Sequence, residues 1–230
     1  MNISSPLNSL KRSYFSTICS LYITMALVSL VLGFKVVHFG HFLISGAAFV
    51  LPFRYLLGDV LAEIYGYHVA KRQIWNLLLV CFVFSLIAKA VIALPSPAYW
   101  THQAAFDFVL GKAFHVFVVA SLGFLVGAML NIYVLSRFRI MLKGRYFIIR
   151  SFFASIVGEL TQYIIALSIL YYSIFPPLKI AQLIFSDYLT QILFVSILTP
   201  FATILVIWLK QVDPLRVDSE TIDFDPFKMQ

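Results

Sequence analysis

In the stretch Pro52 to Trp75 (PFRYLLGDVLAEIYGYHVAKRQIW), the apolar segment that precedes the basic run His68, Lys71, Arg72 carries Arg54, Asp59 and Glu63. An ionisable group in hydrocarbon costs about 3 kcal/mol or more, so such residues face a bundle interior or wet cavity and mark a pathway or site. Asp59 and Glu63 are four apart and share one helix face. Gly58 and Gly66 bracket that face and Pro52 opens it, which predicts a helix bent or broken near Pro52 and Gly58 that another helix or a ligand can approach closely. The competing reading is a buried ion pair between Arg54 and a neighbouring acid that only fixes helix packing.

Further along, Ser155, Glu159 and Gln162 fall within about 60° of one another on a helical wheel, with Arg150 toward one end of the same segment. Asp187, Thr190 and Gln191 share a face of the last apolar segment, and Asn131 continues a Gly123, Gly127 stripe at steps of four. Small residues at that spacing bring helices close, and an asparagine there adds an interhelical hydrogen bond or meets a ligand. A carboxylate presents two acceptors side by side, which suits adjacent N–H donors of a guanine-like edge or an amidine. Aromatic rings such as Tyr65, Phe53, Tyr55, Phe152 and Tyr163 suit its flat faces, although aromatic residues also fill every membrane core. Lys89 lies near enough to a segment end to snorkel, and His38 and His41, without further ligands nearby, read as interfacial and not as a metal site.

The elements that must position these groups are transmembrane helices. The 230 residues are 61% hydrophobic and 12% charged, where soluble chains carry about 25% charged residues. The net charge of +7 sits in short connections between apolar runs and sets topology, so no nucleic-acid partner is assigned to it. Cys19 and Cys81, inside apolar segments with no metal spacing, read as packing residues. Six spans are expected, at about 14–34, 39–66, 73–94, 113–136, 147–174 and 183–209, with a loop at 95–111 long enough to act as a lid over the outer mouth. Pro200 predicts a kink in the last span. The sequence thus divides into a tail 1–12, an all-α polytopic membrane domain 13–210 and a solvated tail 211–230. Lys11, Arg12, Lys71, Arg72, Arg137, Arg139, Lys143, Arg145, Lys210, Arg216 and Lys228 lie on one side and only Lys35, Lys112 and Lys179 on the other; the positive-inside rule then puts both termini in the cytoplasm.

FRYLLGDVLAEIYGYHVAKRQIW, RSFFASIVGELTQYI and SDYLTQILFVSILTPF resemble the queuosine precursor transporter family, a branch of the vitamin uptake transporters, over nearly the whole chain. The resemblance implies a six-helix protein of the bacterial inner membrane that imports 7-deazaguanine precursors of a tRNA nucleoside, such as preQ0 and preQ1, or queuine or queuosine. It implies no enzymatic activity and no cofactor. Asp59, Glu63, Glu159, Gln162, Arg54, Arg150, Asn131, Gln191, Asp187 and Tyr65 become the candidate substrate-binding residues. Family members often carry an acid at the position of Gln162 and a lysine at that of Gln191; the joint change to amides predicts that the two lie close together, since an orphan charge is costly. Beside the substrate and membrane lipid, partners to consider are a second copy of the chain or a separate energising subunit. Two other readings stay open: a substrate-binding subunit of a larger uptake system, and an intramembrane enzyme with Asp59 and Asp187 as a proton-sharing pair.

Overall fold

The computed structural model describes residues 14–33, 35–39, 42–97, 99–111, 113–172 and 176–213. These form α1 (Phe15–Leu32), a two-stranded antiparallel ladder of β1 (Val36–Phe39) and β2 (Phe42–Ser45), one 3-10 turn (Gly46–Phe49), α2 (Leu51–Tyr65), α3 (Tyr67–Ile92), α4 (Gln103–Phe106) with a π turn (Asp107–Gly111), α5 (Ala113–Met141), α6 (Phe147–Tyr171) and α7 (Pro177–Val212). By length and composition five stretches, containing α1, α3, α5, α6 and α7, can each cross a membrane. α2 is the sixth long helix. With 15 residues it extends about 22 Å, short of a hydrocarbon core of about 30 Å.

The expected interruption of the second span falls at its Pro52 end. Pro52 sits in the first turn of α2, where a missing N–H costs nothing, and the helix then runs unbroken through Gly58. Upstream, the β-branched and aromatic run Val36–Phe39 pairs with Phe42–Ser45, Phe39 opposite Phe42, because such residues fit a pleated ladder better than a helix. Ser45 closes the ladder onto the 3-10 turn: its hydroxyl donates to the Gly33 carbonyl (3.0 Å) and accepts from the Ala47 amide (3.2 Å). At the other end of α2 a single residue, Gly66 (φ 89°, ψ 168°), separates it from α3. No L side chain adopts that conformation without strain. The basic connection expected around His68, Lys71 and Arg72 is therefore the first turns of α3. Lys71 is buried there.

The small-residue stripe of α5 packs inside the protomer, against α6. A Cβ on Gly127 would come within 2.5 Å of the Gly158 carbonyl, and one on Gly158 within 2.7 Å of the Asn131 Cβ. On Gly123 it would stand 2.9 Å from the Gln162 carbonyl. At Gly58 the nearest atom is Cε2 of Tyr22, at 3.4 Å, which is ordinary contact. α7 continues as one helix through Pro200. The core runs through α1, α2, α3, α5 and α7 around Leu61, Val60, Ile64, Leu135 and Leu209. His41 lies outside the described residues, as do the first 13 residues and the tail beyond 213.

Candidate functional site

α2 and α6 run antiparallel, and polar side chains link them along their length. At one end Tyr55 donates its hydroxyl to Oε1 of Gln162, and Arg54 Nη2 donates to the same oxygen at 3.3 Å. Midway, Ser151 donates to one oxygen of Asp59 while Asn131 of α5 donates to the other at 2.6 Å. At the far end Arg150 grips Glu63 with both guanidinium nitrogens, at 2.9 and 3.1 Å. Arg150 is 0% exposed, so this bidentate pair is charge-assisted and unscreened by water.

Glu63 is the centre of a larger clasp. Lys210, near the end of α7, donates to it at 2.6 Å, and Arg139 of α5 lies 4.0 Å away. The remaining Arg150 donors go to the carbonyls of Arg145 (2.8 Å) and Gly144 (3.2 Å) in the α5–α6 connection. One turn past Lys210, Asp213 is 3% exposed and accepts from the Tyr65 hydroxyl (2.6 Å) and the Tyr14 amide (2.9 Å). The end of α7 thus gives α2 a cation for its carboxylate and a carboxylate for its tyrosine. The buried partner of Glu63 is Arg150, not Arg54.

The opposite half of the bundle is hollow. A cavity of about 370 Å³ is lined by apolar side chains of α1, α3 and α5, by Ser45 and Ala47, and by three strongly polar groups, Arg54, Gln162 and Asp187. Arg54 lies over the rings of Phe124 (4.4 Å) and Tyr55 (4.9 Å), a placement in which cation–π attraction offsets part of its desolvation. A second, much smaller void of about 10 Å³ behind Arg54, Tyr55 and Phe124 reaches Asn131. Among the described residues of 95–111 none lines the large cavity. Its rim is built instead by the β2 end and the 3-10 turn, a feature that periodicity hid because the strands are as apolar as the helices around them.

Between the Gln162 and Ser151 links, α6 presents Ser155 and Glu159 to the interior, 1% exposed each, and α7 presents Gln191, 0% exposed. Gln191 lies close enough to Glu159 to favour its carboxylate, but Glu159 Oε1, both amide atoms of Gln191, Ser155 Oγ and Asn131 Oδ1 make no hydrogen bond of normal length and angle. Gln162 is bound by Arg54 and Tyr55, and Gln191 faces Glu159, one turn from Gln162 on α6. Asp59 and Asp187 have separate surroundings, the first held by Asn131 and Ser151, the second on the large cavity. Among the described residues no three His, Cys, Asp or Glu converge as a metal site. Sequence reasoning overlooked Ser151, Gly158 and Asp213, whose residue types are unremarkable and whose roles come from facing another helix.

Residues 45–205 match a family model described as "Putative vitamin uptake transporter", a range that holds both linked helices, the unpartnered cluster and the cavity lining other than that of α1. Searches of curated proteins and of solved structures find no match.

Proposed function

From the premise that the chain belongs to this vitamin uptake transporter family, we propose that it imports 7-deazaguanine precursors of queuosine across a bacterial inner membrane, with both termini in the cytoplasm. The observation that carries the reading is the closed cavity end. A space of about 370 Å³ falls within the range of about 300–1,000 Å³ typical of small-molecule sites, and it is separated from the basic end of the bundle by the Glu63 clasp. Exposed Arg72, Lys143 and Arg145 mark that basic end as cytoplasmic by the positive-inside rule. The cavity then lies in the outer half, as an importer awaiting cargo requires.

In this reading a flat heterocycle enters between α1, α3 and α5. Asp187 accepts from its N–H donors, while Arg54 and the Gln162 amide meet its carbonyl edge. Phe117 and Phe124, which line the same space, pack on its faces. Asp59, Asn131, Glu159 and Gln191 lie one layer deeper, and Glu63, Arg150 and Tyr65 close the far side. A precursor bearing an aminomethyl cation gains more from Asp187 than a neutral nitrile does.

The test is restoration of tRNA queuosine in cells lacking both precursor synthesis and their own importer, with preQ0, preQ1, queuine and the nucleoside supplied singly at limiting concentration. Rescue by the wild-type chain is expected. Asp187→Asn should weaken rescue by preQ1 more than rescue by preQ0, and Arg54→Ala should weaken both. Failure with every precursor, from protein that is present in the membrane, would sink the proposal.

A further inference from the structure

Five polar atoms without partners, gathered on four side chains deep in a membrane protein, are unusual, because buried polar groups are nearly always hydrogen-bonded to protein, water or an ion. Asn131 has already spent its Nδ2 on Asp59, which turns its Oδ1 elsewhere. That residue stands against α6 at Gly158, the neighbour of Glu159. Ser155 is one turn from Ser151, which holds Asp59, and one turn from Glu159. Gln191 completes the enclosure from α7. Four of the five unpartnered atoms are oxygens: a carboxylate, a hydroxyl and two amide carbonyls.

We infer that Asn131, Ser155, Glu159 and Gln191 form a binding site for a sodium-sized monovalent cation. Hard cations take oxygen ligands, carboxylate and carbonyl above all. The charge of the seam points to a single positive charge: the charged groups that act on Glu159 are Asp59 and Arg54, so two carboxylates face one guanidinium there. A divalent ion would overshoot that balance. A proton on Glu159 would balance the charge and pair its oxygen with one neighbouring acceptor, leaving the other orphaned oxygens unserved, whereas a cation engages several, with water completing its shell. The site lies between the cavity and the clasp, where an ion whose occupancy is tied to that of the cavity would drive uptake; this role, unlike the binding itself, rests on the transporter reading.

Binding is measured on purified full-length protein in detergent, with no substrate present, as the thermal unfolding midpoint when sodium replaces choline at constant ionic strength. A saturable rise with sodium is expected, because a ligand that binds only the native state stabilises it. Glu159→Gln and Asn131→Leu should each raise the half-saturating sodium concentration by about tenfold or more, with Lys143→Ala, on the exposed connection, leaving it unchanged. If Glu159→Gln does not fold, Gln191→Leu takes its place. A wild-type midpoint indifferent to the exchange of choline for sodium overturns the inference, and so does one that responds to pH alone. Either result leaves the queuosine rescue to be judged separately, and a failed rescue leaves sodium binding standing.

Discussion

Glu63 and Glu159 are both carboxylates sealed from solvent, and they have opposite fates. Glu63 is saturated by Arg150 and Lys210; Glu159 has an oxygen with no donor. Removing one member of a buried pair strands the other, at about 3–5 kcal/mol. Glu63→Ala should therefore lower unfolding stability by about that much, read from a denaturant titration in micelles, and a Glu63→Ala/Arg150→Met double variant should lose less than the sum of the single losses. An additive result would show that the pair is not coupled. Gln162→Leu removes the acceptor of both Arg54 and Tyr55 and should cost about 1–3 kcal/mol in the same titration. At this scale the sequence was a good guide to which residues are unusual, since charge in an apolar run is visible by itself. It was a poor guide to partners. Arg150 for Glu63, Ser151 for Asp59 and Asp213 for Tyr65 lie 87, 92 and 148 positions apart, and no local pattern encodes how two distant helices are rotated toward one another.

At the scale of elements, α5 and α6 are held at backbone contact by Gly123, Gly127 and Gly158, and Asn131, beside that seam, reaches Asp59 of α2. Gly127→Ala must push the helices apart, since its Cβ would meet a carbonyl at 2.5 Å; overpacking of this kind costs about 1–3 kcal/mol. Gly58→Ala meets only ordinary contact with Tyr22 and gains about 1 kcal/mol of helix propensity, so it should be neutral or stabilising. Measured side by side, the thermal midpoint of Gly127→Ala should fall while that of Gly58→Ala holds or rises; equal midpoints would show that the seam is looser than the backbone separation implies. The α5 stripe was legible because i+4 spacing of glycine has a packing meaning; the β1–β2 ladder was not. Its strands are short, apolar and continuous with a helix, so hydropathy cannot tell them from the start of a span.

For the whole molecule, the basic side chains gather at the end that the clasp closes, and the cavity occupies the other. In a chain with Cys19 and Cys81 replaced by alanine, a cysteine at Tyr99, 85% exposed, should react with a membrane-impermeant maleimide in intact cells. One at Lys143, also exposed, should react only after lysis. The reverse pattern would invert the proposed orientation and place the cavity on the cytoplasmic side. That the chain is an all-α membrane protein was readable from composition because the bilayer itself imposes long apolar helices; the shortness of α2 and the position of the cavity were not, since they depend on how unequal helices fit.

α2 carries Arg54 at the cavity and Glu63 in the clasp, nine residues and so about 13.5 Å apart along one rigid axis. It acts as a connecting rod between the two. A stiff rod transmits axial displacement undiminished, so a shift of the α2 axis at Arg54 would arrive at Glu63 at full size. Its far end is journalled on Gly66, one residue with a glycine-only conformation and no slack, which passes the stroke directly to the first turn of α3.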